Sequence, residues 1–317
     1  MPSTAKLLNI YLNEICVLFL IFLFCAINPV YAENAISKVE QKIIDNIIDN
    51  GNEKSANFLS NILPEDSNVE VSFHAIENSK NKYKLSGDLS FVAPLMLNDN
   101  GVLFNQTQIG IYNVRDKDRV ALNMGFGYRQ LSDDENYFTG INSFFDLDSK
   151  GNTRASAGLE FQASLLSANA NIYRRIGQSS NKVGVYKETV LNGHDISVSG
   201  TLPYLPWLDV TMTNYRWDAV KAAKDSAGTK FSTKIRLNNN TVFEFGFDDN
   251  NIDKTTTFAS IMFTSSGHRQ PTLKDGLFSE AAFDRGNVRE KLLMKVRRNN
   301  RIVLESENVG VIMVRLD

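Results

Sequence analysis

The most informative pattern in this sequence is an alternation of apolar residues with polar or very small ones, which begins near residue 68. In residues 120–129 every even position carries a large apolar side chain, and every odd position carries a small or polar one. Because successive side chains of a strand point to opposite faces, this period of two predicts a strand with two unlike faces. Segments of this kind, each roughly ten residues long, recur about twelve times between residues 68 and 264.

The second face of these strands is small and polar, which decides what kind of sheet they form. Residues 154–162 and 195–202 place Arg154, Glu160 and Asp195 on that face. A charged side chain that faces a sealed apolar core costs several kcal/mol unless it is paired, but it costs little in a watery lumen. A sheet that spans a bilayer has to close on itself, so the pattern predicts an all-β fold, an antiparallel twelve-stranded transmembrane β-barrel.

Clusters of turn-forming residues separate the predicted strands. They lie at residues 98–101, 115–118, 133–136, 149–152, 237–240 and 248–251.

Residues 1–32 have the features of a signal peptide that is cleaved near Ala32. The apolar run at residues 16–26 follows a weakly positive start and precedes a cleavage site with small residues at its two key positions. This run is short for a spanning helix, which needs roughly 20 residues. An uncleaved membrane anchor is the alternative interpretation.

Residues 33–67 predict a short α-helical segment in the periplasm. Apolar residues lie at helical spacing between Ile36 and Ile48, opposite a charged and amide-rich face, and Gly51 is expected to divide the segment into two helices. The segment either packs on itself or the barrel rim, or it serves as a periplasmic anchor or a dimerising element, which leaves a homodimer possible.

Residues 265–305 carry several charges and no clean alternation. Residues 287–295 are compatible with a short helix. Two apolar alternating runs follow between Arg301 and Asp317, with Glu307 and Asn308 between them, which predicts a small hairpin.

Composition narrows the function. The net charge is −2 with a pI near 6.0, so the chain lacks the basic footprint of a nucleic-acid-binding protein. After residue 32 no run of 18 apolar residues occurs, which excludes a helical membrane protein. Both cysteines, Cys16 and Cys25, lie in the predicted signal peptide, so the mature chain is expected to hold no disulfide and no cysteine metal site.

No motif predicts catalysis, a cofactor or a metal. His74, His194 and His268 lie far apart and have no partner at ligand spacing. A twelve-stranded phospholipase barrel would need a serine and a histidine on one outer wall, but His194 and Ser197 are three apart and point to opposite faces. Residues 248–253 are acidic but lack the spacing and glycine of a calcium loop.

An ordered series of motifs goes beyond the alternation. It comprises NMGFGYR (123–129), GINSFFD (140–146), Arg154, GLE (158–160), ANIY (170–173), GHD (193–195), LPYLPWL (202–208) and KVRRNNRIVLE (295–305). This series resembles the inverse autotransporter β-domain of intimins and invasins, over residues 68–305.

The resemblance implies a twelve-stranded barrel in the outer membrane of a Gram-negative-type bacterium, with a C-terminal linker that runs back through the pore to the cell surface. It also implies outer-membrane lipids as surroundings, and the barrel assembly machinery and periplasmic chaperones as partners during biogenesis. In the family, immunoglobulin-like domains and an adhesive tip follow, whereas only about 12 residues follow Glu305 here and one such domain needs about 100. Residues 306–317 are therefore expected to form a short exposed tail, a minimal or lost passenger, and the adhesive function is not carried over.

The motifs also predict which side chains face the lumen and the linker (265–305). Glycines there make room for a second backbone, and the wall charges either form an ion-pair ladder that pairs with linker cations or are ordinary solvated lumen charges. The predicted lumen and linker contacts are Asn123, Gly125, Gly127, Arg129, Gly140, Asn142, Asp146, Arg154, Glu160, Asp195, Arg285, Arg289, Arg297 and Arg298, with Lys291 as a further linker cation.

Three aromatic residues, Tyr204, Trp207 and Trp217, are candidates for a membrane-interface girdle, with simple core packing as the alternative. Pro203 and Pro206 bracket a predicted tight periplasmic turn.

Three functions remain open at this point. The first is an outer-membrane translocator and anchor that displays or exports its own C-terminal segment. The second is a stand-alone pore or structural barrel that is plugged by its C-terminal tail. The third is a lipid-active enzyme, which the missing serine–histidine pair disfavours.

Overall fold

The computed structural model describes residues 67–77, 83–114, 117–177, 180–253, 255–265, 270–283, 286–308 and 311–315. Twelve antiparallel strands close into a barrel, which confirms the predicted fold class. The barrel strands are β1 (Asn68–Glu77), β2 (Tyr83–Asn98), β3 (Gly101–Val114), β4 (Lys117–Leu131), β5 (Tyr137–Asp148), β6 (Thr153–Ala163), β7 (Leu166–Arg175), β10 (Gly193–Leu202), β11 (Leu205–Trp217), β12 (Ser226–Asn238), β13 (Thr241–Asn250) and β14 (Thr256–Thr264). Four further strands are β8 (Asn181–Val183), β9 (Tyr186–Val190), β15 (Leu304–Asn308) and β16 (Val311–Arg315).

The barrel closes where β1 pairs with β14, with Val71 opposite Phe263 and Ala75 opposite Ala259. Each strand of the barrel is joined to both neighbours, so the sheet has no free edge. Since the number of strands is even, Asn68 and Thr264 lie at the same end.

The two ends of the barrel differ in the length of their connections. At the end that holds Asn68 and Thr264, the strands are joined through residues 99–100, 132–136, 164–165, 203–204 and 239–240. We call this the turn end. The opposite, loop end carries the two longest connections, residues 176–192 and 218–225.

The predicted alternation sets which side chains face inward. Along β4 the odd positions from Ala121 to Arg129 are buried and the even positions are more exposed. A Cβ added at Gly125 would overlap the ring of Phe144 on β5, and one added at Gly127 would overlap the ring of Phe104 on β3. These two glycines therefore leave room for aromatic rings that fill the lumen.

Some predicted boundaries are wrong. Residues 248–250 continue β13 and are not part of a turn, because Asp248 accepts a hydrogen bond from the Tyr215 hydroxyl inside the barrel at 2.8 Å. In place of a helix over 287–295 there is only a 3-10 turn at Arg289–Lys291. After this turn the carbonyls of Leu292 and Met294 accept from Arg129 on the barrel wall, so they do not continue a helix.

A second, four-stranded sheet lies at the loop end, in the order β16-β15-β9-β8. The predicted C-terminal hairpin is present as β15 and β16, but β15 runs through Asn308, where the sequence suggested a break. Strands β8 and β9 belong to the connection between β7 and β10 and were not predicted.

Residues 1–66 lie outside the described residues, and so do the predicted signal peptide and nearly all of the predicted helical segment 33–67. Within the part of the chain that is described, no helix has the length and apolar character to cross a membrane.

The largest apolar cluster among the described residues lies inside the barrel and joins its wall to the chain that follows β14. The wall contributes Val92, Val102, Phe104, Leu131, Phe138 and Phe144, and the later chain contributes Val288, Leu292, Leu293 and Val296. Residues 286–303, which we call the lumen segment, are thus packed within the barrel.

Candidate functional site

The lumen segment crosses the barrel from the turn end to the loop end. Near its start, Arg289 donates to the Asp99 carbonyl and to Glu135, both in connections of the turn end, at 2.7 Å each. At its other end, the backbone nitrogen of Leu191 in the long loop-end connection donates to the Val303 carbonyl at 3.0 Å. The sequence predicted such a linker, and these contacts define its path.

Arg129 on β4 holds the segment near the turn end. Its guanidinium donates to the carbonyls of Leu292 and Met294 at 2.6 and 2.7 Å, and to the Glu160 carboxylate at 2.7 Å. The arginine is 1% exposed and lies 4.4 Å from the centroid of the Phe104 ring. One side chain therefore binds a wall carboxylate and two main-chain carbonyls at once.

Arg154 on β6 repeats this arrangement toward the loop end. It donates to the carbonyls of Asn299 and Arg301 at 2.7 and 3.1 Å, and its Nε donates to the Asp146 carboxylate at 2.8 Å. The guanidinium is stacked 4.5 Å from the centroid of the Tyr173 ring. We refer to Arg129 and Arg154 as the arginine clamps.

Asp146 is the centre of the lumen charge network. Its two oxygens accept from Arg298 of the lumen segment at 2.9 and 2.7 Å, from Arg154 at 2.8 Å and from the Asn123 amide at 2.8 Å. The carboxylate is fully buried, with 0% of its side chain exposed. Such bidentate, charge-assisted pairing fixes orientation as well as energy, so Arg298 sets the register of the segment along the barrel.

Asp195 on β10 supports a third group of contacts. It accepts from the Asn171 amide at 2.7 Å and from the Tyr173 hydroxyl at 2.6 Å. Asn171 in turn donates to the Arg297 carbonyl at 3.1 Å, and the Tyr173 hydroxyl accepts from the backbone nitrogen of Asn299 at 2.7 Å.

Apart from the Asp146–Arg298 pair, these contacts share one property, which is that wall side chains bind the main chain of the lumen segment. The bound carbonyls belong to Leu292, Leu293, Met294, Arg297, Asn299, Asn300 and Arg301. An extended chain away from any sheet has no ladder partners, and unpaired buried carbonyls are costly. The barrel wall supplies the missing donors.

The remaining predicted lumen residues lie as follows. Asn142 donates to Glu160 at 3.1 Å, and a Cβ added at Gly158 would lie 2.5 Å from the Asn171 side chain. A Cβ added at Gly140 would approach the Arg129 side chain to 3.1 Å. Arg285 lies outside the described residues.

Two predicted linker cations do not pair with the predicted lumen acids. Arg289 binds Glu135 in the β4–β5 connection, because it lies at the turn end, outside the reach of Asp146 and Glu160. The Arg297 charge lies near Glu244 on β13, on the opposite side of the lumen from Asp146 on β5.

Two of the three predicted interface aromatics lie elsewhere. Trp217 is 1% exposed and packs 5.1 Å from the Tyr173 ring inside the barrel, so the girdle prediction is wrong for it. Trp207 is also buried, and its indole nitrogen donates to the Leu277 carbonyl at 2.8 Å. Tyr204 is 51% exposed at the turn end, in the left-handed conformation with φ of 60°.

Two ion clusters were missed in the sequence. Lys295 binds Glu70 at 2.8 Å and Asp88 at 3.1 Å, and Asp88 is also 2.6 Å from His74. Inward acids on the first two strands were the available signal for this cluster.

The second missed cluster lies at the loop end. Arg119 on β4 binds Asp148 at 2.8 Å and makes two hydrogen bonds to Glu188 on β9, at 2.9 and 2.8 Å. No sequence signal links Glu188 to the barrel.

Most of the barrel matches a known protein family. The family model described as "Inverse autotransporter, beta-domain" matches residues 26–271, which is more than half of the 317 residues. The chain belongs to the inverse autotransporter β-domain family. It is accordingly an outer-membrane barrel of the translocator and anchor type, as the sequence predicted.

A curated protein is similar in sequence to part of this inverse autotransporter barrel. The attaching and effacing protein homolog of Escherichia coli (strain K12) is 29% identical over 168 residues, which cover 49% of this chain and 55% of that protein. The chain thus spans about half the length of the curated relative it matches.

Solved structures of outer-membrane proteins are similar as well. The structure reported as "Unveiling the Mechanism Behind the in-meso Crystallization of Membrane Proteins" has a TM-score of 0.60 and 20% identity, and covers 76% of this chain and 99% of its own. An outer membrane channel from Pseudomonas putida F1 has a TM-score of 0.47 and 8% identity, with 63% and 98% covered.

The lumen of this inverse autotransporter barrel is not completely filled. A cavity of about 470 Å³ remains between the lumen segment and the wall, and it is lined on one side by Lys234, Arg236 and Glu244 of β12 and β13. The segment itself lies against β1 to β7, where Lys295, the arginine clamps and Asp146 hold it.

The outer wall shows no catalytic pair at the positions considered in the sequence. His194 is exposed on the outside and Ser197 is 2% exposed on the inside, as the alternation predicts. Within the described residues, no group of three or more His, Cys, Asp or Glu side chains is arranged to hold a metal ion.

Proposed function

We propose that this barrel exports its own C-terminal segment through the lumen and then anchors it, with the lumen segment as the retained linker. The observation that carries the proposal is that the wall binds the main chain of residues 292–301. A wall that binds carbonyls accepts many sequences in an extended conformation, as a conduit for a polypeptide requires. A wall built for one fixed plug would be free to recognise side chains alone.

The orientation of the barrel in the membrane follows from the lengths of the connections between its strands. In outer-membrane barrels the periplasmic turns are short and the outer loops are longer. The turn end therefore faces the periplasm and the loop end faces the cell surface. The lumen segment then runs outward, and β15 and β16 lie on the outside.

This proposal assigns a role to each part of the chain. Residues 1–32 direct export and are removed near Ala32, residues 33–67 lie in the periplasm, and residues 68–264 form the barrel. Residues 265–305 are the linker, and residues 306–317 are displayed outside. The barrel assembly machinery and periplasmic chaperones act during biogenesis, and the barrel is not an enzyme.

The alternative is a barrel that is permanently plugged by its tail in the periplasm. Both versions fill the lumen, so the position of the C-terminus separates them. An epitope tag after Asp317 should be labelled by antibody on intact cells. A tag in the 221–224 loop is the positive control, and a tag in the 239–240 turn, which should require permeabilisation, is the negative control.

Each outcome has one meaning. Labelling of the C-terminal tag on intact cells supports display through the lumen. Labelling of that tag only after permeabilisation, while the 221–224 tag is accessible, rejects the proposal and leaves the plugged barrel.

A further inference from the structure

The loop-end mouth of the barrel holds a binding surface that neither the family nor the lumen contacts explain. It is formed by β9 and by residues 218–225, two connections that come from different pairs of barrel strands. Strand β15 lies across both. Its Leu304 pairs with Val190 and its Glu307 with Lys187, antiparallel to β9.

Strand β9 is held in place by side chains of the barrel wall. Glu188 is 1% exposed and points toward the wall, where Arg119 holds it in a two-bonded pair and Asn152 donates to it at 3.0 Å. Asn152 also donates to Asp148 at 2.9 Å, so the cluster ties β9 to strands β4 and β5. A free loop strand would lose entropy on binding another strand, whereas this edge is already ordered.

Glu305 joins β15 to the second connection. Its two carboxylate oxygens accept from the backbone nitrogens of Val220 and Lys221 at 2.9 and 2.8 Å. The side chain is 1% exposed, although it is charged. Successive backbone N–H groups that point at one carboxylate form an anion-binding concavity, so this loop offers a site for an acidic side chain.

Three apolar residues just before Glu305 fill the mouth. Val303 packs with Tyr173, Leu191 and Trp217. Ile302 and Leu304 pack with Val190, and all three residues are 5% exposed or less. Apolar packing on both sides of the chain excludes water at this level of the barrel.

We propose that β9 and residues 218–225 form a docking site for an extended segment of this chain, residues 302–305, and that its occupation closes the surface mouth. β9 pairs with the main chain, the apolar pocket takes Val303, and the loop nitrogens take the Glu305 carboxylate. The site therefore recognises side chains at the exit as well as main chain. It defines where the exported chain stops. The inference rests on the proposed function for its direction, because that places the mouth at the surface.

Disulfide trapping tests the docking directly. Both cysteines of the chain lie in the signal region, so introduced cysteines in the barrel have no competitors. Lys187→Cys with Glu307→Cys, which are opposite each other, should cross-link on intact cells. Lys187→Cys with Ser306→Cys is the matched control, because adjacent residues of β15 point to opposite faces, and it should not cross-link.

Removal of the Glu305 carboxylate tests the recognition. Glu305→Ala should slow the cross-link between the cysteines introduced at positions 187 and 307 about tenfold, since it removes two charge-assisted hydrogen bonds. It should also raise the frequency of open events in planar bilayers. Asp249→Ala, which removes an exposed acid at the same end of the barrel but outside the docking site, should leave both readouts unchanged.

The outcomes separate this inference from the proposed function. If the C-terminal tag is labelled on intact cells but the cysteines introduced at positions 187 and 307 do not react, or react no better than the control pair, the docking site is wrong. If the tag is not labelled but the purified barrel cross-links in register and Glu305→Ala slows it, docking stands and the export proposal fails. An Asp249→Ala variant that behaves like Glu305→Ala would also overturn the docking site.

Discussion

At the residue scale, the packing of the lumen segment depends on the ability of one arginine side chain to bind several acceptors. Its planar guanidinium presents five N–H donors in a fixed fork, so it binds a carboxylate on one edge and carbonyls on the other. Arg129 and Arg154 both do this, each with its own acid, Glu160 or Asp146. A lysine has three donors on one flexible nitrogen and would not hold two carbonyls and a carboxylate in one plane.

Among the lumen residues, Asp146 is the one whose substitution should destabilise the barrel most. Asp146→Asn leaves Arg154 and Arg298 buried without their shared counter-charge, and breaking a buried pair costs about 3–5 kcal/mol. We expect the free energy of unfolding to fall by this amount in urea titrations of the barrel in lipid vesicles. The fluorescence of Trp217, which lies 6.0 Å from the Arg154 guanidinium, reports the transition.

The matched control for Asp146 is an exposed acid–base pair. Asp225 binds Arg216, whose side chain is 57% exposed, and Asp225→Asn should leave the free energy of unfolding almost unchanged because an exposed pair contributes little. Equal losses in the two variants would mean that the lumen network is solvated and contributes no more than a surface pair.

At the scale of elements, the sequence predicts the barrel strands, the linker and the C-terminal hairpin, but it does not predict the strands within the loop-end connection. Strands of about ten residues that separate lipid from lumen have to alternate, so β4, β6 and β10 were visible from period two alone. Strands β8 and β9 have only three and five residues, which is too short for a pattern to emerge.

Ion pairs across the lumen could not be predicted from the sequence either, for a physical reason. Lys295 and Glu70 are 225 positions apart, and Arg119 and Glu188 are 69 positions apart. Closure of the barrel and the path of the segment bring them together, so no local pattern records them. The motif positions Asp146, Arg154 and Arg298 were foreseen as lumen charges, but the binding of main-chain carbonyls was not.

The stability of the 3-10 turn at Arg289–Lys291 should depend on pH. The hydrogen bond from Arg289 lowers the pKa of the Glu135 carboxyl below its ordinary value of 4.5. A lowered folded-state pKa stabilises the contact above about pH 4.5, and this stabilisation is lost as the pH falls through the lowered value. Amide hydrogen exchange at residues 291 and 292, corrected for intrinsic rates, should therefore show less protection at about pH 3 than at about pH 6.

Glu135→Gln is the control for this turn, because the amide does not titrate in this range. The variant should show the same corrected protection at both pH values. If the protection in this variant changes with pH as in the unaltered chain, another titrating group controls the turn and the Glu135–Arg289 contact does not.

At the scale of the whole molecule, the barrel is filled asymmetrically. The wall from β1 to β7 is bound to the lumen segment, whereas β12 and β13 face a cavity of about 470 Å³. A twelve-stranded barrel is wide enough to leave such space beside a single extended chain. The segment is therefore both part of the core and an obstruction in the pore.

Deletion of residues 286–317 should separate these two roles. The deleted chain loses Val288, Leu292, Leu293 and Val296 from the main apolar cluster, each worth about 1.5–3 kcal/mol when fully buried, so the folded barrel should unfold at a lower temperature in heat-modifiability gels. It should also form a steadily open channel in planar bilayers, because nothing then occupies the polar lumen. A chain that lacks only residues 309–317 keeps the lumen segment and β15, and it should match the full chain in both measurements. An unchanged conductance after the longer deletion would mean that the barrel collapses or is closed by its own loops. The lumen segment would then have no part in closing the pore.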